Sequence, residues 1–221
     1  AVCTLITFGG IGFAVIEDIL WLIRCKFLGI KYRLSLTSRV IISASTLLTF
    51  GGAAVVFFLE SMAGHDYGGM KANILSALFQ SVTCRTAGFN TVPIAQMSTV
   101  ALVFMMFLMF IGGSPGSCAG GIKTTTARVL GSFIKNRFLS RHQISLGQRA
   151  ANSATLNNAI TLFIFALLTV VTAVFILLIT ESGRPGADVN HQLFLNALFE
   201  VTSAFGTVGL TMDFTPTLTS I

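Results

Sequence analysis

Two nearly matching stretches limit what this chain can fold into. The first, Val82-Thr83-Cys84-Arg85-Thr86-Ala87-Gly88-Phe89-Asn90-Thr91, follows Ala77-Leu78-Phe79-Gln80. About 120 residues on, Ala197-Leu198-Phe199-Glu200 leads into Thr202-Ser203-Ala204-Phe205-Gly206-Thr207-Val208-Gly209-Leu210-Thr211, one residue longer. Each copy reads Ala-Leu-Phe, an amide or acid, small hydroxyl residues, then Thr-x-Gly-apolar. The helix expected over 71–82 is too short to cross a ~30 Å hydrocarbon core. A half-membrane helix ending in such a loop suits a re-entrant pore loop, whose backbone carbonyls replace the water around a cation. Successive carbonyls reach one narrow passage only through backbone conformations that a Cβ penalises, so Gly88 and Gly209 stand where side chains are not tolerated.

Composition fixes the solvent. With 53% hydrophobic and only 10% charged residues, and a mean hydropathy of +0.83, the chain lies outside the range of soluble domains, which carry roughly 25% charged residues. It reads as an all-α integral membrane protein. The net charge of +6 does not mark a nucleic-acid binder, because the charges fall in alternate connectors. Arg24, Lys26, Lys31, Arg33 and Arg39 form one basic connector and Lys135, Arg137, Arg141 and Arg149 another. Glu60, Asp66 and Lys71, and later Glu181, Arg184 and Asp188, mark the connectors between. This is the positive-inside pattern: 24–39 and 135–149 face the cytosol, 60–70 and 181–190 the exterior. The basic face also suits anionic membrane lipid or an acidic partner. Cys3, Cys25, Cys84 and Cys118 show neither CxxC spacing nor a paired His, so they read as free thiols.

Along the chain, residues 1–23 read as the interior of a spanning helix cut at the fragment's edge, not as a signal peptide, with Gly9, Gly10 and Gly12 as packing positions. Spanning helices are expected over 36–60 and 154–180, and short pore helices over 71–82 and 191–202. A pore helix aims its C-terminal half negative charge at the ion, worth on the order of 1 kcal/mol per helix at ~8 Å and an effective dielectric of ~20. Arg85 would repel a passing cation, so it is expected to face away and bond loop carbonyls from behind. A helix broken within 97–138 carries the glycine-rich run from Gly112 to Gly121. Its G-x-S-x-G and near-phosphate-loop patterns lack the strand, acid and histidine context of a hydrolase, and Ile122 displaces the lysine register of a phosphate loop, so no enzyme is indicated. Non-helical backbone at membrane depth is tolerated where it is buried in protein or lines a cavity. The expectation is a movable gate made by Gly112, Gly113, Ser114, Gly116, Ser117, Gly120 and Gly121, rich in small residues and cheap to shift, with Lys123 either a cytosolic anchor or a mobile positive charge.

Thr83 to Thr91 and Ser203 to Leu210 resemble the third and fourth selectivity-filter segments of the Trk/Ktr/HKT potassium transporters, closest to the bacterial Ktr-type membrane subunit, and the likeness covers essentially the whole chain. The resemblance implies helix, re-entrant pore loop, helix repeats related to potassium channels, in a multi-pass protein of the plasma (inner) membrane. On that basis residues 1–30 are expected to be the last transmembrane helix of a preceding repeat with its cytosolic connector, 31–138 a complete repeat with filter 83–91, and 139–221 a repeat lacking its last helix, with filter 203–211. It implies potassium held by the Gly88 and Gly209 carbonyls, flanked by Thr86, Ala87, Phe89, Thr207, Val208 and Leu210. It further implies K+ as the transported ion, Na+ as a coupling ion for symport, no organic cofactor in this chain, a homodimer, and a cytosolic ring of nucleotide-binding (ATP/ADP or NAD) regulatory subunits. A sodium-translocating member of the same family and a secondary carrier with broken helices for another solute are the alternatives.

Overall fold

A computed structural model describes residues 2–139, 145–146, 149–150, 153–182 and 191–215. Arg141 and the connector 183–190, both assigned a side of the membrane above, lie outside the described residues. Among the described residues nine α-helices follow one another: α1 Val2–Ile11, α2 Phe13–Phe27, α3 Leu36–Thr46, α4 Gly52–Met62, α5 Met70–Thr83, α6 Thr99–Phe110, α7 Thr124–Phe138, α8 Ser153–Ser182 and α9 His191–Phe205. The departure from an all-helical chain among the described residues is a ribbon of two short strands, β1 Ser145–Leu146 and β2 Arg149–Ala150, antiparallel with Ser145 opposite Ala150. By length and composition, Leu36–Met62 and Ala154–Glu181 are each long and apolar enough to cross a membrane, and α1 with α2 makes a third if the bent pair counts as one span.

That bend is a correction to the sequence reading. Residues 1–23 do not form one helix: α1 and α2 meet at 102°. Gly12, at φ +88, is the pivot, and a Cβ there would sit 2.6 Å from the carbonyl oxygen of Pro115. The glycine is therefore demanded by backbone conformation and by close approach of another segment, beyond a packing role.

The span over Leu36–Met62 is not uniform either. Residues Leu47–Gly51 form a π-helical turn between α3 and α4, a local widening that loosens the regular carbonyl ladder. Ser81 and Arg85, one helical turn apart at the end of α5, exploit it. The Ser81 hydroxyl donates to the carbonyls of Leu48 at 3.2 Å and Thr49 at 2.8 Å. Arg85 donates to the Ser45 carbonyl, the Thr49 hydroxyl and the Ser45 hydroxyl at 3.0, 2.8 and 2.9 Å. A Cβ on Gly52 would lie 2.5 Å from the Ser81 oxygen, so that glycine admits the pore helix.

The apolar run of α6 is the central post. Ala101, Leu102, Met105, Met106, Leu108 and Met109 are buried and cluster with Phe199 of α9, Cys84, Val208 and Leu210. Among lipid tails such packing gains shape complementarity and not release from water. On α8 the buried positions Ala159, Ala166, Val170 and Val174 form one narrow stripe, and large apolar side chains such as Leu162, Phe165, Leu168 and Phe175 are exposed on its other faces. At the other end of the α4 span, the buried Glu60 carboxylate joins three elements. It accepts from the backbone N–H and hydroxyl of Ser98, which caps α6, and from Tyr67, with the His65 ring 2.8 Å away.

Candidate ion filter and intramembrane loop

Each filter segment begins where a pore helix stops, and each stops later than the sequence suggested. Thr83 still belongs to α5, and Ser203, Ala204 and Phe205 to α9, so the non-helical stretches are Cys84–Asn90 and Gly206 onward. Within them the two repeats share one backbone signature. Thr86 has φ +72 and Gly88 φ +69; Thr207 has φ +52 and Gly209 φ +83. The intervening Ala87 and Val208 are not in the left-handed region. Alternating left-handed with ordinary residues turns successive peptide planes the same way, which is what a row of carbonyls aimed at one passage requires. Threonine in this region is costly, so something must hold it there.

Several clasps do. The Thr83 hydroxyl donates to the Phe89 carbonyl at 2.8 Å and accepts the Phe89 N–H at 2.9 Å, closing the first loop on itself. In the second loop the Val208 N–H donates to the Ser203 carbonyl at 2.8 Å. The Glu200 carboxylate accepts from the Thr211 hydroxyl, the Met212 N–H at 3.2 Å and the Thr215 hydroxyl at 2.8 Å. Its counterpart Gln80, 1% exposed, has neither amide atom bonded and faces a small cavity shared with Glu60, Tyr67 and Asn73. The sequence analysis noted both residues only as repeat markers and missed the positioning role of Glu200. A carboxylate 11 to 15 residues before a hydroxyl-bearing exit segment was the available signal.

The two loops touch. A Cβ built on Gly88 would lie 2.4 Å from the Val208 carbonyl oxygen and 3.4 Å from the Gly209 backbone, whereas one on Gly209 meets nothing closer than the Gly88 Cα at 3.9 Å. Gly88, Val208 and Gly209 thus come together, while the Phe89 side chain turns outward, 58% exposed, and Leu210 goes into the core. Arg85 does face away from this meeting point, as read from the sequence. Its partners, however, are Ser45 at the end of α3 and Thr49 in the π turn rather than loop carbonyls.

Between α6 and α7 the chain leaves helical geometry from Ile111 to Lys123. Ile111 and Ile122 pair as a parallel bridge, and the Ile122 N–H donates to the Phe110 carbonyl at 3.0 Å, so the helix is resumed almost where it was left. The excursion is tightly held, which corrects the expectation of a loosely packed segment. Ser114 N–H donates to the Gly10 carbonyl at 3.0 Å, Phe13 N–H to the Gly116 carbonyl at 3.4 Å, and Gly121 N–H to the Phe205 carbonyl at 3.2 Å. Gly120 N–H donates to the Thr207 hydroxyl at 2.8 Å. A Cβ on Gly112 would fall 1.7 Å from the Gly120 carbonyl, and one on Gly113 2.5 Å from the Ala119 methyl. The loop lies break to break against the α1–α2 bend on one side and against the second candidate filter loop on the other. Ser117 donates to the Ser114 carbonyl at 2.6 Å. The fully buried Ser114 hydroxyl meets Thr124 at 3.3 Å, and no histidine is among its partners. Lys123, half-buried, folds back to donate to the Ala119 carbonyl at 2.5 Å.

Two re-entrant loops of one backbone signature, each carried on a short helix inside an all-α membrane chain, define a protein of the helix, pore loop, helix class related to potassium channels. The family described as TrkH, "Cation transport protein", matches residues 1–221, and the chain belongs to it. It is 38% identical over 222 residues to the "Potassium/sodium uptake protein NtpJ" of Enterococcus hirae, covering 100% of this chain and 47% of the relative. It is 34% identical to the "Ktr system potassium uptake protein B" of Bacillus subtilis, covering 96% and 45%. The crystal structure of the potassium transporter TrkH from Vibrio parahaemolyticus superposes with a TM-score of 0.67 at 22% identity over 96% of this chain and 45% of that one. The chain therefore spans about half the length of the relatives it matches. Membership of a multi-pass transport family sets the hydrolase and phosphate-loop patterns aside.

Proposed function

We propose that this chain contributes two of the filter loops and the gating segment of a plasma-membrane transporter for potassium uptake. The observation that carries the reading is the matched pair of left-handed positions, Thr86 with Gly88 and Thr207 with Gly209, in loops whose backbones meet. Carbonyls of Thr86, Ala87, Gly88 and Phe89, and of Thr207, Val208, Gly209 and Leu210, replace the hydration of K+, which is the cargo. The C-terminal ends of α5 and α9 lead into the loops and favour the cation. Residues 1–30, 31–138 and 139–221 then belong to successive repeats around one pore. The segment Gly112 to Gly121 is the gate: in the present arrangement its backbone seals against the second filter, and opening requires exchange of the Gly120, Gly121 and Ser114 hydrogen bonds for others. Lys123 latches the loop through Ala119. In keeping with the family resemblance, the working unit is a homodimer under a cytosolic ring of nucleotide-binding regulatory subunits, with Na+ as coupling ion.

A second reading, in which sodium is also carried, is favoured by one observation: the relative from Enterococcus hirae is named for both ions. Uptake of potassium, rubidium and sodium by a strain lacking its own potassium transporters, complemented with the full-length protein, separates the two. Preference for potassium and rubidium supports the first; equal uptake of sodium refutes it.

A further inference from the structure

A cavity of about 600 Å³ opens between α3, the end of α6 and α7. Its walls differ by depth. Beside the start of the intramembrane loop they are apolar, made by Leu47, Leu48, Phe107 and Ile111, of which Leu47 is 65% and Phe107 57% exposed. Towards the other end they are supplied by Arg128, Ser132, Lys135 and Asn136, spaced i, i+4, i+7, i+8 and so on one face of α7. Every one of these four side chains can donate hydrogen bonds, two are cationic, and no carboxylate lines the cavity. Asn136 is 6% exposed, and its Nδ2 is buried without a partner. A buried amide donor is ordinarily paired, so an acceptor is called for at this point.

The depth fits one kind of occupant. From Thr124, where α7 leaves the loop, to Lys135 is about 16 Å at 1.5 Å per residue, close to half of a ~30 Å hydrocarbon core. With the loop at mid-membrane, Lys135 and Asn136 would lie at headgroup level of the leaflet that the basic connectors assign to the cytosol, and Arg128, two turns nearer the loop on the same cavity wall, has a stem long enough to extend its charged head towards that level. We propose that this cavity is a binding site for an anionic phospholipid: the phosphate sits among Arg128, Lys135 and the Asn136 amide, and an acyl chain runs along Leu47, Leu48 and Phe107 to Ile111. Ile111 and Thr124 are the two ends of the intramembrane loop, so the lipid would touch both hinges. That consequence for flux rests on the gating role proposed above; the site itself does not.

The test uses the full-length protein in detergent, titrated with phosphatidylglycerol or phosphatidylcholine and read by native mass spectrometry. Phosphatidylglycerol is expected to bind more tightly than phosphatidylcholine, and the variant carrying Arg128→Gln with Lys135→Gln to bind it roughly 30-fold more weakly, from about 1 kcal/mol per charge. Lys135→Gln alone should weaken it roughly fivefold, which serves if the double variant does not fold. Arg137→Gln removes an exposed charge that is not part of the wall and should change nothing. Equal binding of both lipids, an unaltered double variant, or an equal loss in Arg137→Gln overturns the proposal. Those outcomes mean that another part of the full-length chain or a second copy fills the cavity, or that only diffuse surface attraction acts. Because the measurement involves no ion flux, it fails or succeeds independently of the transport reading. In vesicles, flux should respond to phosphatidylglycerol in the unmodified protein and not in the double variant.

Discussion

Gly88 and Gly209 occupy equivalent places in the two loops, yet the structure ranks them. Both have left-handed φ values, +69° and +83°, so alanine at either costs ~1–2 kcal/mol of backbone conformation. Beyond that the environments diverge. The new Cβ at position 88 meets the Val208 carbonyl oxygen at 2.4 Å, roughly 1 Å inside ordinary contact, and that oxygen belongs to backbone and cannot swing aside. At position 209 the nearest atom is 3.9 Å away. Gly88→Ala must therefore displace a carbonyl of the opposite loop by about an ångström, while Gly209→Ala leaves the first loop in place. A loss of ~1.4 kcal/mol in ion discrimination is tenfold, so Gly88→Ala or Gly88→Ser should lower the preference for potassium over sodium by roughly tenfold or more. Gly209→Ala should lower it less. Because Gly88 acts on Val208, the double variant should fall short of the sum of the singles. The assay is uptake of potassium against sodium and rubidium by the full-length protein, normalised to the amount in the membrane. Unchanged selectivity in Gly88→Ser, or a larger effect at Gly209, refutes the reasoning.

Deleting residues 113–120 should raise potassium flux and weaken its dependence on the nucleotide-binding partner; a deletion that reaches the membrane and conducts at the regulated rate rules out the loop as gate. An impermeant thiol reagent on intact cells should label a cysteine placed at His65 and spare one at Lys31, and the opposite result inverts the topology. Arg85→Leu removes three hydrogen bonds to Ser45 and Thr49 and should cost about 2–4 kcal/mol, seen as a lower melting temperature of the purified protein; an unchanged one contradicts the anchoring role. Asp66, ahead of α5, is held below the ordinary carboxylate range by the N–H groups of Gly69 and Gly68 and by Asn73. Its contribution is present above the unfolded pKa of ~3.9 and lost as pH falls through the folded value, so the stability gap between the protein and Asp66→Ala should close on acidification, and a gap that widens would be the wrong sign.

What the sequence made legible was composition and repetition. Membrane residence followed from the scarcity of charge, and the two loops from their shared Thr-x-Gly-apolar ending, because both are local properties. What it hid depends on contacts between distant segments. The π turn at Leu47–Gly51 has no signature beyond two glycines, and it exists in partnership with Ser81 and Arg85, more than thirty positions away. The bend at Gly12 is equally invisible without Pro115 beside it. The run from Gly112 to Gly121 looked slack because small residues offer little surface; in three dimensions that same lack of side chains lets backbones close to direct contact. Helix ends at Thr83 and Phe205 were misplaced by a few residues, since hydroxyl and small residues are compatible with a last helical turn as well as with a loop.

The bonds from the Gly120 N–H to the Thr207 hydroxyl and from the Gly121 N–H to the carbonyl of Phe205, the last residue of α9, join the lower segment to the second loop and the helix that carries it. Coupling of this kind works in both directions by thermodynamic necessity. If moving the lower segment alters how Thr207 is held, then an ion seated at Thr207 must bias the lower segment by the same free energy. On the proposed function, the cargo would then be an effector of its own passage, its occupancy from outside setting how much signal the cytosolic side needs to open the path.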